Sequence, residues 1–293
     1  MKQLTRCPIC QADAAGAAPM YRRDRDALVR CPSCRSLFSN PRYEIEELAE
    51  LYRREYYDPT VGGEQQRWAV QQDAATLHRT VLRLLRRRYP QVVRPGARLL
   101  DFGCGLGFFL AEAKAMGMVV RGVEFSDVAA AHARDQLGLD VTTGDEPALA
   151  HLPDESFDLV TSFEVIEHVL DPARTTRLLA AKLRPPGGTA GGRGGVLAYS
   201  YPNLRCWRRA IEGGRWFNFR NPTHLNFFST RAMRTMLEGA GLGNVRRAVF
   251  WGGRPGWGFL RNVPQYACRL LNLGSDTRVL AERIANFGFR IAD

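Results

Sequence analysis

Apolar positions along this chain change their period several times, and each change marks an element. Up to about residue 42 they are sparse and broken by turn residues. From Glu44, the positions Ile45, Leu48, Leu51, Tyr52 and Tyr56 recur three and four apart, which predicts an amphipathic helix. After a break from Pro59 to Gly63, Trp68, Leu77, Val81, Leu84 and Leu85 repeat the pattern and predict a second helix ending near Tyr89-Pro90.

Beyond the Arg94-Pro95-Gly96 turn, short apolar runs alternate with helical patterns. Strands are predicted from Ala97 to Phe102, Val119 to Phe125, near Val141, from Phe157 to Phe163, Val196 to Tyr201 and Val245 to Trp251. Helices are predicted from Phe108 to Met116, from Val128 to Leu137 behind a Ser126 cap, from Pro172 to about Leu183, and from Ser229 to Gly239. Such alternation predicts an α/β domain, a parallel sheet covered by helices on both faces. The run from Pro185 to Gly195 is too poor in side chains to pack and reads as a mobile surface loop. The expected organisation is a metal-stapled module over 1–42, a helical linker or lid over 43–95, the α/β domain over 96–250 and a C-terminal helical extension over 251–293.

The first module is too small to build a core unaided. It carries Cys7-Pro8-Ile9-Cys10 and Cys31-Pro32-Ser33-Cys34, with 20 residues between Cys10 and Cys31. That spacing reads as a closed, structural zinc ribbon with Cys7, Cys10, Cys31 and Cys34 as ligands. The remaining cysteines, Cys104, Cys206 and Cys268, show no pairing pattern. With no apolar run long enough to span a membrane and no apolar leader before Cys7, the chain reads as cytoplasmic with reduced thiols. A net charge of +11 and a pI near 9.7 favour an anionic partner, whether nucleic acid or a phosphorylated or nucleotide-linked small molecule. Arginines spread over a solvated surface explain the same charge equally well.

The loop Asp101-Phe102-Gly103-Cys104-Gly105-Leu106-Gly107 follows the first predicted strand of the α/β domain, where ligands of such sheets bind. Its glycines are spaced two and two. A dinucleotide loop needs a glycine where Phe108 stands, and a P-loop needs Lys and Ser/Thr that are missing. Asp101 would repel a pyrophosphate and would suit a ligand bearing an ammonium and a sulfonium, S-adenosylmethionine. Glu124, at the end of the next strand, is placed to accept hydrogen bonds from both hydroxyls of a ribose.

Through Leu99 to Gly107, Val123-Glu124-Phe125-Ser126, Gly144-Asp145 and Phe157-Asp158-Leu159-Val160, residues 96–250 resemble class I S-adenosylmethionine-dependent methyltransferases. The resemblance implies a Rossmann-like sheet and a cofactor site drawn from Asp101, Phe102, Gly103, Cys104, Gly105, Gly107, Glu124, Phe125, Asp145, Glu146 and Phe163. In that family the glycine loop holds the methionine part, the acid after the second strand the ribose, and the acid after the third the adenine amino group.

The acceptor side is expected in Phe163-Glu164-Val165-Ile166-Glu167-His168 and in His224. If the segment turns helically, Glu164, Glu167 and His168 share one face. The set is similar to the metal-binding residues of small-RNA 2'-O-methyltransferases and in part to those of ubiquinone-pathway O-methyltransferases, which implies Mg or another divalent metal on Glu164, Glu167, His168 and His224. Two other readings stay open: His168 as general base without metal, and a purely structural role. Tyr201-Pro202-Asn203 and His224 to Ser229 look like acceptor-side segments of bacterial methyltransferases acting on sugars and secondary metabolites. The expected substrate is a small sugar-like or anionic molecule methylated on oxygen. RNA held by the ribbon and the basic surface is the alternative, followed by a scaffold without turnover. Trp207, Trp216, Phe217 and Phe219 either wall the acceptor pocket or pack beneath a lid.

Overall fold

The computed structural model describes residues 1–56, 75–187, 192–248 and 276–284. It opens with an antiparallel meander, β1 (Pro19–Arg22), β2 (Ala27–Arg30) and β3 (Leu37–Asn40), in which Tyr21 lies opposite Leu28 and Val29 opposite Phe38. Helices α1 (Ile45–Tyr56) and α2 (Ala75–Arg88) follow as the periodicity predicts. The part of the second prediction around Trp68 lies outside the described residues.

The α/β domain then alternates as expected: β4 (Arg98–Phe102), α3 (Phe108–Ala115), β5 (Val119–Glu124), α4 (Asp127–Asp135), β6 (Val141–Thr143), α5 (Glu146–Ala150), β7 (Leu159–Phe163), α6 (Pro172–Lys182) and β8 (Val196–Pro202). Side chains define the helix starts. Ser126 Oγ accepts from Ala129 N, and Asp171 Oδ1 accepts from Arg174 N beside Pro172. Two short helices, α7 (Trp207–Glu212) and α8 (Phe217–Arg220), precede the two-residue strand β9 (Asn226–Phe227). Ser229 caps α9 (Thr230–Gly239), and β10 (Leu242–Ala248) and β11 (Asp276–Arg283) complete the chain of elements.

The large sheet has the order β10-β11-β8-β7-β4-β5-β6. Its β8-β7-β4-β5-β6 part is parallel, and β11 runs antiparallel between β8 and β10. Strand residues alternate between two layers: Leu99, Ala198 and Leu280 pack with Leu82, Leu110 and Ala133 of α2 to α4, whereas Leu100, Tyr199 and Ala281 pack with Leu149, Leu179 and Met233 of α5, α6 and α9. All seven residues of β8 are buried, as a strand covered on both faces requires.

Three expectations need correction. Residues 276–283 form a strand, not part of a helical extension; Leu280, Ala281 and Glu282 favour helix locally, but pairing Val279 with Tyr199 and Ala281 with Leu197 extends the sheet. The rest of 251–293, apart from Ile284, lies outside the described residues. The glycine-rich loop is packed at its end: Arg283 N donates to Gly195 O, and a Cβ on Gly194 would stand 2.3 Å from Arg283 O. Residues 188–191 of that loop are outside the described set. Finally, the boundary at residue 42 is not a boundary of the core. Cys7, Cys31 and Phe38 share one apolar cluster with Tyr201, Phe228 and Met233, and β9 pairs with β3, placing Phe227 opposite Leu37.

Candidate active site

β4 ends in the glycine loop at the carboxyl edge of the sheet. Gly103 and Gly107 adopt φ of 78° and 87°, and added Cβ atoms would stand 2.3 Å from Val165 Cγ2 and 2.7 Å from Leu139 Cδ1. Glycine is therefore required at both by conformation and by space. Asp101 is buried and accepts a 2.6 Å bond from Thr161 Oγ1. Burial pushes its carboxyl up to about 7; the Thr161 bond opposes this and the Glu124 charge adds to it. Glu124 spans the loop from the next strand, accepting from Gly105 N at 2.7 Å and Ser126 N at 2.9 Å, while burial raises it as well.

In front of the loop lies a cavity of about 580 Å³. Of the sequence-predicted cofactor residues, Asp101, Gly103, Cys104, Gly105 and Phe163 line it. Glu124 holds the loop through Gly105 N, and neither it nor Gly107 is among the lining residues. Asp145 sits half-buried at the start of α5, its carboxyl raised by burial. Phe102 belongs to the core, and Glu146 is engaged by Thr175 Oγ1 and by Arg174 at 3.4 Å, so neither faces the cavity.

The loop after β7 is not helical. Glu164 takes φ of 55°, and its amide donates to Ser200 Oγ at 3.0 Å. This left-handed residue breaks the helical turn expected from the sequence, yet the Glu164 and Glu167 carboxyls still meet and act on each other. Glu164 lines the cavity. Its surface remains accessible there, yet the carboxyl is crowded enough that burial, followed by the Asp276 charge, pushes it up to about 7.

Glu167, His168 and His224 gather with one ligand atom from each within 4.8 Å of the others. His168 Nδ1 lies 2.9 Å from Thr223 O, which fixes that nitrogen as the donor and leaves Nε2 as the lone-pair nitrogen, 3.9 Å from Glu167 Oε1. The two imidazoles meet edge to face with centroids 4.7 Å apart. Burial lowers His168 to about 4, lowers His224 well below the ordinary imidazole range and raises Glu167. Both Glu167 oxygens and His224 Nδ1 are buried without a hydrogen-bond partner. Two neutral imidazoles and an orphaned carboxyl make a donor set that fits a divalent cation. None of the three lines the cavity.

The sequence profile of a methyltransferase-domain family matches residues 71–247. The chain belongs to that family. The relatives of this methyltransferase include the mitochondrial ubiquinone biosynthesis O-methyltransferase of Arabidopsis thaliana, 30% identical over 172 residues, 52% of each chain. A ubiquinone biosynthesis O-methyltransferase of Caulobacter sp. is 42% identical over 101 residues, 32% of this chain and 38% of that one. The methyltransferase thus spans about half or less of the length of these curated relatives.

Among solved structures, a SAM-dependent methyltransferase from Thermotoga maritima, described as a possible histamine N-methyltransferase, aligns with a TM-score of 0.52 at 19% identity, covering 80% of this chain and 99% of that one. Magnesium protoporphyrin IX methyltransferase of Synechocystis with bound SAH gives 0.52 at 18% identity with the same coverage. These likenesses establish the fold, that of class I S-adenosylmethionine-dependent methyltransferases.

The N-terminal module braces the segments that carry His168 and His224. Arg23, paired with Asp26, donates to Asn221 O at 2.9 Å and His224 O at 3.0 Å. Buried Arg42 donates to Leu170 O, Leu225 O and Asn226 Oδ1, and Asn226 Nδ2 in turn reaches Val169 O. Both segments carrying the histidines are therefore fixed from the N-terminal module. Its sulfurs gather at 3.8 Å for Cys7–Cys34 and 3.7 Å for Cys10–Cys31. A tetrahedral zinc with Zn–S bonds of about 2.3 Å has an S–S edge of about 3.8 Å, so the spacing fits that ion.

Sequence reasoning missed several cavity residues. His78 of α2, Asn218, Asp276 and Arg278 carry no local signal and arrive through tertiary folding. The aromatic stretch divides its labour: Phe217 is exposed and lines the cavity, whereas Trp216 and Phe219 pack with Leu28, Leu37 and Phe227 beneath it.

Proposed function

We propose that the protein transfers the methyl group of S-adenosylmethionine to a hydroxyl of a small, anionic or sugar-like acceptor. One observation carries this reading: a single cavity is bounded by Asp101 and the glycine loop on one side and by Glu164 on the other. The O-methyltransferase names of the relatives support oxygen as the acceptor atom. S-adenosylmethionine supplies, when bound, a methyl carbon already activated toward displacement. Asp101, which lines the cavity, would hold the ammonium group, and Glu124 and Asp145, at the ends of the next two strands, would serve the ribose and adenine where the ligand extends beyond it. Glu164 accepts the proton of the acceptor hydroxyl, a task matched by a carboxyl raised to about 7. Phe163 and Phe217 supply apolar wall to the same cavity.

Glu164 is better supported as base than His168, because His168 is nine-tenths buried and absent from the cavity wall. Glu167, His168 and His224 are inferred to hold a divalent cation, without Glu164; the three unpartnered atoms support this. The four cysteines are inferred to hold structural zinc. Free thiols fit a cytoplasmic setting, and no described helix is long and apolar enough to cross a membrane. The ribbon aromatics Phe38 and Tyr43 are buried, and Tyr21 stacks on Phe219 at 4.7 Å, which favours a small acceptor over RNA bases.

The test is transfer of labelled methyl from S-adenosylmethionine into a fractionated cell extract. Label in small-molecule or carbohydrate fractions, lost in E164Q, is the expected result. Label confined to RNA would establish the alternative substrate, and none in any fraction would argue for a scaffold.

A further inference from the structure

A second cavity, of about 340 Å³, lies where the ribbon meets the carboxyl end of β8. Arg30 and Arg35 of the ribbon border it on one side, Arg205 and Arg209 on the other. Its inner wall includes Tyr201 and Phe228, both buried. No acidic side chain lines it, and among the described residues none of the four arginines forms an ion pair. Arg209 Nε is buried without a hydrogen-bond partner. Four arginines with no acidic side chain among them border one small space, which gives it a local positive field that favours an anion.

The two cavities share strands. Ser200 and Pro202 line the first while Tyr201 and Asn203 line the second; on β11, Asp276 and Arg278 alternate in the same way with Thr277. Alternate residues of a strand face opposite sides of a sheet, so the cavities flank one strand end. A molecule crossing the carboxyl edge of β8 would touch both.

We propose that this arginine-lined cavity binds the phosphoryl group of a phosphorylated or diphosphate-linked small acceptor, a reading that rests on the methyl transfer proposed above. A carboxylate is satisfied by one guanidinium fork. A phosphoryl dianion offers more acceptor oxygens and takes several forks at once, which matches the number converging here. The aromatics that line the space, Tyr201 and Phe228, are buried and offer no exposed stacking surface of the kind a single strand of RNA needs.

The experiment titrates inorganic pyrophosphate into the full, zinc-loaded protein by calorimetry, with SAH titrated in parallel. Wild type, R205Q/R209Q and R30Q, on the opposite wall, are compared. One pyrophosphate per chain is expected, weakened at least tenfold in R205Q/R209Q and at least threefold in R30Q, with SAH affinity unchanged. Pyrophosphate should also suppress labelling of the small-molecule fraction by wild type. Absent binding, or equal affinity in both variants, overturns the proposal. Binding that leaves labelling untouched overturns it too, since the site would then serve free anion and not the acceptor. An RNA oligonucleotide that displaces pyrophosphate and loses affinity in the same variants would replace the small ligand with nucleic acid. Failure of SAH to bind wild type would refute the cofactor reading instead, independently of the anion result.

Discussion

Replacing Asp101 by Asn isolates the charge at the head of the glycine loop. The native carboxyl is 4% exposed and raised to about 7, chiefly by burial. An ammonium-bearing ligand prefers the ionised form, so below about pH 7 binding must expel a proton. Each pH unit below that point then costs about 1.4 kcal/mol, a tenfold loss, which amounts to about 100-fold at pH 5. Above about pH 7.5 the affinity should level off. Calorimetric titration of SAH from pH 5 to 8.5, in buffers of differing ionisation enthalpy, gives both the affinity and the proton count. D101N should bind more weakly at pH 8 by roughly 10- to 100-fold, the loss of one charge-assisted hydrogen bond. It should also lose most of the slope; any remainder belongs to Glu124, which burial raises in the same direction. Affinity that stays flat between pH 5 and 8 in wild type would refute the assignment, as would a full tenfold-per-unit slope surviving in D101N.

Initial rates of E164Q should fall by about 10²- to 10⁴-fold with SAH affinity within about threefold, and the wild-type rate should rise with pH through about 7 as Glu164 loses its proton. A variant that retains its rate would return the base role to His168. Replacing Arg42 by Met leaves Leu170 O and Asn226 Oδ1 short of a buried donor, at about 1–3 kcal/mol for each group left unpaired, while Leu225 O keeps its bond from Ser39 N, and should lower stability to urea and slow transfer together. Chelating the ribbon metal should release about one zinc per chain by metal analysis. A loss of about 3 kcal/mol would lower Tm by about 6–12 °C, and an unchanged Tm would separate the ribbon from the core it shares with Tyr201 and Met233.

Much of this architecture is legible along the chain because its signals are local. Ser126 and Ser229 announce their helices, the strands are short apolar runs, and the Asp101 to Gly107 loop combines a charge with glycines that close packing demands. β11 was hidden by residues that favour helix in isolation. The non-helical turn at Glu164 was hidden for another reason: one residue with positive φ breaks a three-residue spacing, and nothing in Glu-Val-Ile-Glu-His marks the reversal. β9, only two residues long, has no period to detect, and its attachment to β3 is purely tertiary. The arginines around the second cavity come from two distant stretches of chain that composition alone cannot bring together.

The pairing of β3 with β9 also sets an order of events during synthesis. Leu37 and its partner Phe227 are 190 residues apart. At translation rates of about 5–20 residues per second, the nascent ribbon waits about 10–40 s for the strand that completes its sheet. Throughout that interval Leu28, Leu37 and Phe38 lack the surfaces that later cover them. A ribbon cross-linked early by zinc would keep these residues in register on the ribosome until β9 arrives to cover them.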